Sequence, residues 1–219
     1  MTRKLFAPAA LVVVGLMTAI GSIAIADPAD DAKPADVSKL GDIKLPEGWT
    51  AEDMQKCMEA GTPGKMHEHL AKGIGQWHAE TTMWMAPGAE PMKSEGTSTV
   101  TPIMDGRYFK AKMEGEMPGM GPYHGFGIYG YDNVSKQFVS TWIDNHSTGM
   151  MQGEGELSDD GKTLTWQFTA NCPLTGKPTK FREIEKITGD DAKTLEMFGA
   201  DPKSGKEYKM MSIKFKKKS

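Results

Sequence analysis

The chain has little of what usually announces a chemistry. It holds two cysteines, Cys57 and Cys172, in 219 residues, and no C-x-x-C pair. Its five histidines form no H-E-x-x-H. His67 and His69 lie two apart on a predicted helix and so face different ways. A zinc site is therefore poorly supported, and no resident metal or cofactor is assigned. Arginine is scarce: beyond Arg3 there are only Arg107 and Arg182. Excess positive charge is missing too. The formal net charge is -3, and the basic stripe that a nucleic-acid partner would want is absent. The lysine-rich end, Lys214 and Lys216 to Lys218, is short and reads as solvated chain rather than a membrane anchor. After Ile25 no apolar run approaches the roughly twenty residues a spanning helix needs.

What is present begins with an export pattern. Arg3 and Lys4 precede the apolar run Leu11–Ile25, which ends in the A-x-A site Ala24-Ile25-Ala26. This predicts a secretory signal over residues 1–26 and a periplasmic or secreted mature protein. Gly15, Thr18, Gly21 and Ser22 interrupt the run and argue against an uncleaved anchor. Residues 27–48, rich in Ala, Asp, Pro and Lys, read as a flexible linker. Residues 49–219 are long enough for one domain with a full core. Export also permits a Cys57–Cys172 disulfide. The alternative is two unpaired thiols, one buried and one exposed.

The helical signal is confined to residues 50–73. Thr50 with Asp53 forms a helix-start box, and Gly61 is a stop. A second short helix follows Pro63, with Met66 and Leu70 on one face, and ends at Gly73. From Gly75 the period changes to two. Trp77, Ala79, Thr81 and Met83 alternate with His78, Glu80 and Thr82. Leu164, Trp166 and Phe168 alternate with threonines and Gln167. Asp105-Gly106, Asp132-Asn133, Asp159-Asp160-Gly161 and Gly189-Asp190-Asp191 supply turns, and Pro118 to Pro122 reads as a wide loop. The result is about nine to ten short strands joined by hairpins. Such a meander closes most simply as an all-β, antiparallel up-and-down barrel, which leaves no exposed edge. Gly125, Gly127 and Gly130 sit within one strand, where they would relieve crowding.

Gly75-Gln76-Trp77, opening the first strand after a helix, resembles the G-x-W start of calycin, or lipocalin-like, barrels. Five further segments appear in order: Met83–Gly96, Met104–Phe109, Gly125–Asn133, Ser140–Asp144 and Thr148-Gly149. Together they resemble domain-of-unknown-function family 1579 of bacterial exported proteins. The resemblance covers Trp77 to the C-terminus. It implies a calycin-like barrel and no established activity. Cys172-Pro173 departs from the Asp-Pro expected there, which favours a disulfide particular to this chain. His146 departs from a Met-like residue and so is no family-wide ligand.

The candidate ligand-binding residues are Arg107, His124, Trp142, Asp144 and His146. Trp142, Asp144 and His146 share a face at period two, and barrel mouths commonly hold small molecules. The competing reading makes Asp144 a turn cap and His146 a solvated side chain. Ser140, Asp144 and His146 are the residue types of a hydrolase triad, but the strand-to-helix elbow around the serine is missing, so no catalytic residue is assigned. Met113, Met117 and Met120 near His124 would suit copper(I). The plainer reading is that methionine fills irregular cores. His124 or His146 could hold haem, with nothing to select either. Arg107 and Arg182 could each bind a ligand carboxylate, pair with Glu114 or Glu183, or stack on Trp77. The expectation is an exported barrel binding a small, partly apolar molecule. The runner-up is a filled barrel acting as a structural or interaction module, and an enzyme comes third. Oligomeric state is left open.

Overall fold

Thr50 starts the first helix, α1 (Ala51–Ala60), by the predicted device. Its hydroxyl accepts from Asp53 N at 3.1 Å, and the Asp53 carboxylate accepts from Thr50 N at 2.9 Å. The computed structural model describes residues 45–218. The predicted signal over 1–26 and most of the 27–48 linker lie outside the described residues. Helix α2 (Lys65–Ala71) follows the turn at Pro63.

Ten strands come next: β1 (Gly75–Met83), β2 (Met92–Ile103), β3 (Tyr108–Met117), β4 (Gly121–Asp132) and β5 (Gln137–Asp144), then β6 (Met151–Leu157), β7 (Thr163–Asn171), β8 (Pro178–Gly189), β9 (Ala192–Ala200) and β10 (Glu207–Lys217). Each pairs antiparallel with its sequence neighbours, and β10 pairs with β1 to close the barrel. The expected up-and-down barrel is what forms. Strand β4 starts at Gly121, inside the stretch expected to be a loop. The wide loop expected at Pro118–Pro122 is only a tight turn, made possible by left-handed φ angles of 77° at Gly119 and 88° at Gly121.

Alternation puts aromatic and aliphatic side chains inside. Trp166 is fully buried and Phe168 is 1 % exposed. They pack with Phe138 and Leu164 in one cluster, while Trp77, Ala79, Ile213 and Phe215 form another. Large rings need empty space on the facing strand. Gly155 lies opposite Trp166, and a Cβ there would meet the indole at 2.7 Å. Gly127 lies opposite Trp142, where a Cβ would meet the ring at 2.6 Å. The strand glycines therefore make room for indoles.

In this topology alternate turns lie at opposite ends. The helices close one end. Arg107 Nε donates to Gly61 O at 2.9 Å, and Asn133 Nδ2 donates to Thr62 O at 2.7 Å and Ala60 O at 3.1 Å. These contacts seat α1 on the β2–β3 and β4–β5 turns. Met66 and Leu70 of α2 pack against the Phe138–Trp166 cluster. Cys172 lies in the β7–β8 turn, at the other end. Both cysteines are free, Cys57 exposed and Cys172 half-buried. The candidate disulfide does not form, because helix and turn sit at opposite ends of the barrel. Among the described residues no helix is long and apolar enough to cross a membrane.

Candidate functional site

The barrel interior is two chambers. The one toward the open end has a volume of about 490 Å³, and the one beneath the helices about 610 Å³. Met113, Tyr129, Trp142 and Leu195 line both, so they form the floor between them. Trp142 is held in place by its indole N–H, which donates to the Tyr123 hydroxyl at 3.1 Å.

The open-end chamber is methionine-rich. Eight of the chain's 17 methionines line it: Met83, Met85, Met113, Met117, Met151, Met197, Met210 and Met211. Strict alternation would point Met210 and Met211 to opposite faces. The register shift between Lys209 and Met211 is a bulge that turns both toward the chamber. Unbranched thioethers leave a wall that reshapes around an occupant.

The polar groups are few and concentrated. Glu183 is 6 % exposed and lies in the wall of this chamber. Among the described residues no group hydrogen-bonds its carboxyl. Burial first, and then the neighbouring charge of Glu185, push its pKa up to about 8, with Lys193 pulling the other way. Tyr123 is pushed up to about 12 by burial and by the Asp144 carboxylate. Tyr129 is pushed well above the ordinary tyrosine value by burial and by the Glu183 and Glu185 carboxylates. In the helix-capped chamber Lys193 pairs with Glu185 at 2.7 Å and lies 5.2 Å from the Trp77 ring centre.

Two of the five sequence candidates meet in the open-end chamber. Trp142 and Asp144 both line it. His146 is exposed and stacks on Tyr123, ring centres 5.9 Å apart and nearly parallel, beside the mouth. Asp144 also caps the following turn, accepting from His146 N at 2.9 Å. The two competing readings of Asp144 thus hold together. Arg107 is nowhere near this chamber. It sits at the helix-capped end, spent on Gly61 O and Met104 O. His124 points out of the barrel toward Glu114, 3.8 Å away, because its neighbours Tyr123 and Gly125 face inward. Arg182 also faces out. It pairs with Glu207 at 3.0 Å and stacks on Phe198, and Trp77 carries lysines instead.

Other suggested sets do not assemble. Met113 and Met117 line the chamber, while Met120 is exposed in its turn and His124 faces outward. Ser140 is buried on β5, and Asp144 is one strand-length of about 13 Å beyond it. The sequence reading missed Glu183, Tyr123, Tyr129 and the paired methionines. Glu183 had a signal: Phe181, Glu183, Glu185 and Ile187 alternate on one face, so two carboxyls share the apolar side of β8.

Comparison with known proteins fits this architecture. The family described as "Protein of unknown function (DUF1579)" matches residues 62–217. The chain belongs to the DUF1579 family. No curated protein matches it. Among solved structures, this DUF1579 barrel is similar to Rv2717c from M. tuberculosis, with a TM-score of 0.54 and 11% identity over 69% of this chain and 96% of that one. It is also similar to the S-type phycobiliprotein lyase CPES from Guillardia theta, with a TM-score of 0.51 and 9% identity over 70% and 93% of the two chains. At such identities the likeness is one of fold.

Proposed function

We propose that this protein is an exported barrel that holds a small, partly apolar molecule in its open-end chamber. The observation that carries the reading is a cavity of about 490 Å³ walled by methionines and aromatic rings, with a few convergent polar groups. That volume falls within the roughly 300–1,000 Å³ of small-molecule sites. A filled barrel, the competing reading, has no use for such a space. Apolar side chains continue to the rim: Met85, Met120, Met150 and Leu174 are all more than half exposed in or beside the open-end turns. They give an apolar ligand a graded path inward. A phycobiliprotein lyase of the same fold is consistent with barrels of this kind serving small molecules, but the chamber bears the argument. Export rests on the pattern of Arg3, Lys4, Leu11–Ile25 and Ala24-Ile25-Ala26.

Native mass spectrometry of the mature protein, exposed to extracts of small apolar molecules, tests the binding. The wild type is expected to retain a discrete added mass, and Met197→Trp, which fills the chamber, to lose it. A protein that stays at its bare mass throughout sinks the proposal. Sequencing the N-terminus of the exported protein tests the signal; a chain still beginning at Met1 contradicts cleavage.

A further inference from the structure

Resting on that reading, we infer the chemical class of the occupant: an organic cation, a quaternary or protonated amine carrying an apolar tail. Three independent features of the open-end chamber point there.

The first is sign. Asp144 and Glu183 sit on inward strand positions of it, Glu95 and Glu116 touch it from exposed, outward-facing positions, and no lysine, arginine or histidine lines it. The helix-capped chamber differs, with Lys72, Lys162 and Lys193 in its wall beside Asp160, Glu185 and Asp190. Within one barrel, positive side chains are confined to one compartment. A carboxylate ligand entering the open end would meet the carboxyls of Asp144 and Glu183 and no counter-charge. Lys209, which stacks on Trp84 at that end, has its charge engaged by Glu196 at 2.9 Å.

The second is Glu183. It is a carboxyl more than nine-tenths buried, presented to the cavity and without a hydrogen-bond partner among the described residues. Its oxygens open onto the cavity, so whatever fills that space is what answers them. Across the sheet it faces Trp166 of β7 and Met197 of β9, which offer it no charge. The charged or titratable groups that reach it are Glu185 on its own strand, Lys193 on β9 and Tyr129 on β4. Lys193 is already committed to Glu185.

The third is the set of π faces. Trp84, Tyr123, Trp142, Phe168 and Phe181 line the same space. Aromatic faces attract ammonium groups that have left water, and the methionine wall suits an alkyl tail.

The arrangement makes binding pH-linked. Free Glu183 keeps its proton up to about pH 8. An arriving cation draws that proton off, and raising the pH removes this cost. Cation affinity should therefore climb between about pH 6 and about pH 9, and a neutral ligand's should not.

The test uses three probes with one tail: decyltrimethylammonium, decanol and decanoate. Titration calorimetry on the mature protein would be run at about pH 6 and about pH 9. The permanently charged cation is expected to bind about tenfold or more tighter than decanol at the higher pH, with decanoate weakest. Glu183→Gln should erase that preference, read as the ratio of cation to decanol affinity within the one variant. The glutamine variant should fold, because it mimics the neutral carboxyl already present at neutral pH. Decanol or decanoate binding as tightly as the cation overturns the inference while the ligand-binding reading stands. Cation preference surviving in Glu183→Gln overturns it as well. If none of the three probes binds, both readings fall together.

Discussion

Glu183 is the residue whose surroundings are most at odds with its chemistry. A carboxyl in an apolar wall keeps its proton, so its pKa in the folded barrel is about 8 against an ordinary 4.5. The consequence for stability has a definite sign. Below about pH 4.5 both folded and unfolded chains hold the proton, and Glu183 contributes no pH dependence. Between about 4.5 and 8 the unfolded chain releases it while the folded one does not. The free energy of unfolding therefore falls as pH rises through that window, by about 1.4 kcal/mol for each pH unit at most. Glu183→Gln should remove this slope. Urea unfolding is expected to give variant and wild type similar stability near the acid end and a more stable variant above about pH 8. A wild-type curve parallel to the variant's across the window would show that Glu183 is not held neutral. At this scale the sequence was only partly legible. Trp142 and Asp144 could be placed because they sit two apart on an unbroken strand, so period two carried them inward together. Arg107 could not be placed, because its role depends on Gly61 O, forty-six residues earlier in the chain. The raised pKa of Glu183 depends on which strands close around it, and no local pattern encodes that.

Among the elements, the strands were the readable part and the helices the half-readable part. Alternation specifies a strand's inward face because a slip of one residue exchanges core for solvent. The bulge at Met210 breaks that rule, and a single chain offers no sign of where a ladder takes an extra residue. Helix α1 is held in an unusual way. It buries no residue of its own, so apolar packing does not fix it. Asn133, predicted only as a turn former, does the fixing by donating from one amide to both Ala60 O and Thr62 O. Removing that amide leaves the end of α1 with Arg107 alone. Asn133→Ala is expected to cost about 1–2 kcal/mol of local stability. Hydrogen exchange should show faster exchange through Ala51–Ala60 and unchanged protection of the barrel strands. Equal loss of protection in β7 would mean that α1 is integral to barrel stability, contrary to the packing.

The whole molecule is a closed barrel with a floor across its middle. Closure follows from the hairpin meander and was open to sequence reasoning. The floor was not, because Met113, Tyr129, Trp142 and Leu195 come from four different strands and meet only once the barrel is shut. Trp142 is its broadest member, and Gly125 and Gly127 on the adjoining strand leave the space its ring fills. Two compartments of about 490 and 610 Å³ limit how long an occupant can be. A tail entering at the open end must stop at the indole. Trp142→Ala should join the compartments and free the Tyr123 hydroxyl from its indole partner. Loss of a large buried ring costs stability, about 3–5 kcal/mol when fully buried, so the variant is best compared with Trp142→Leu, which opens the floor while retaining apolar bulk. The expected result is a change in length selectivity. Wild type should gain little affinity between decyl- and hexadecyltrimethylammonium, because the added carbons find no room. Both variants should gain about tenfold or more for the longer probe, since each buried methylene contributes about 0.8 kcal/mol. Titration of the two probes against the three proteins measures this as a ratio, which a uniform loss of folded protein does not alter. Identical ratios in all three would mean that the tail never reaches the floor, and that the two chambers act independently.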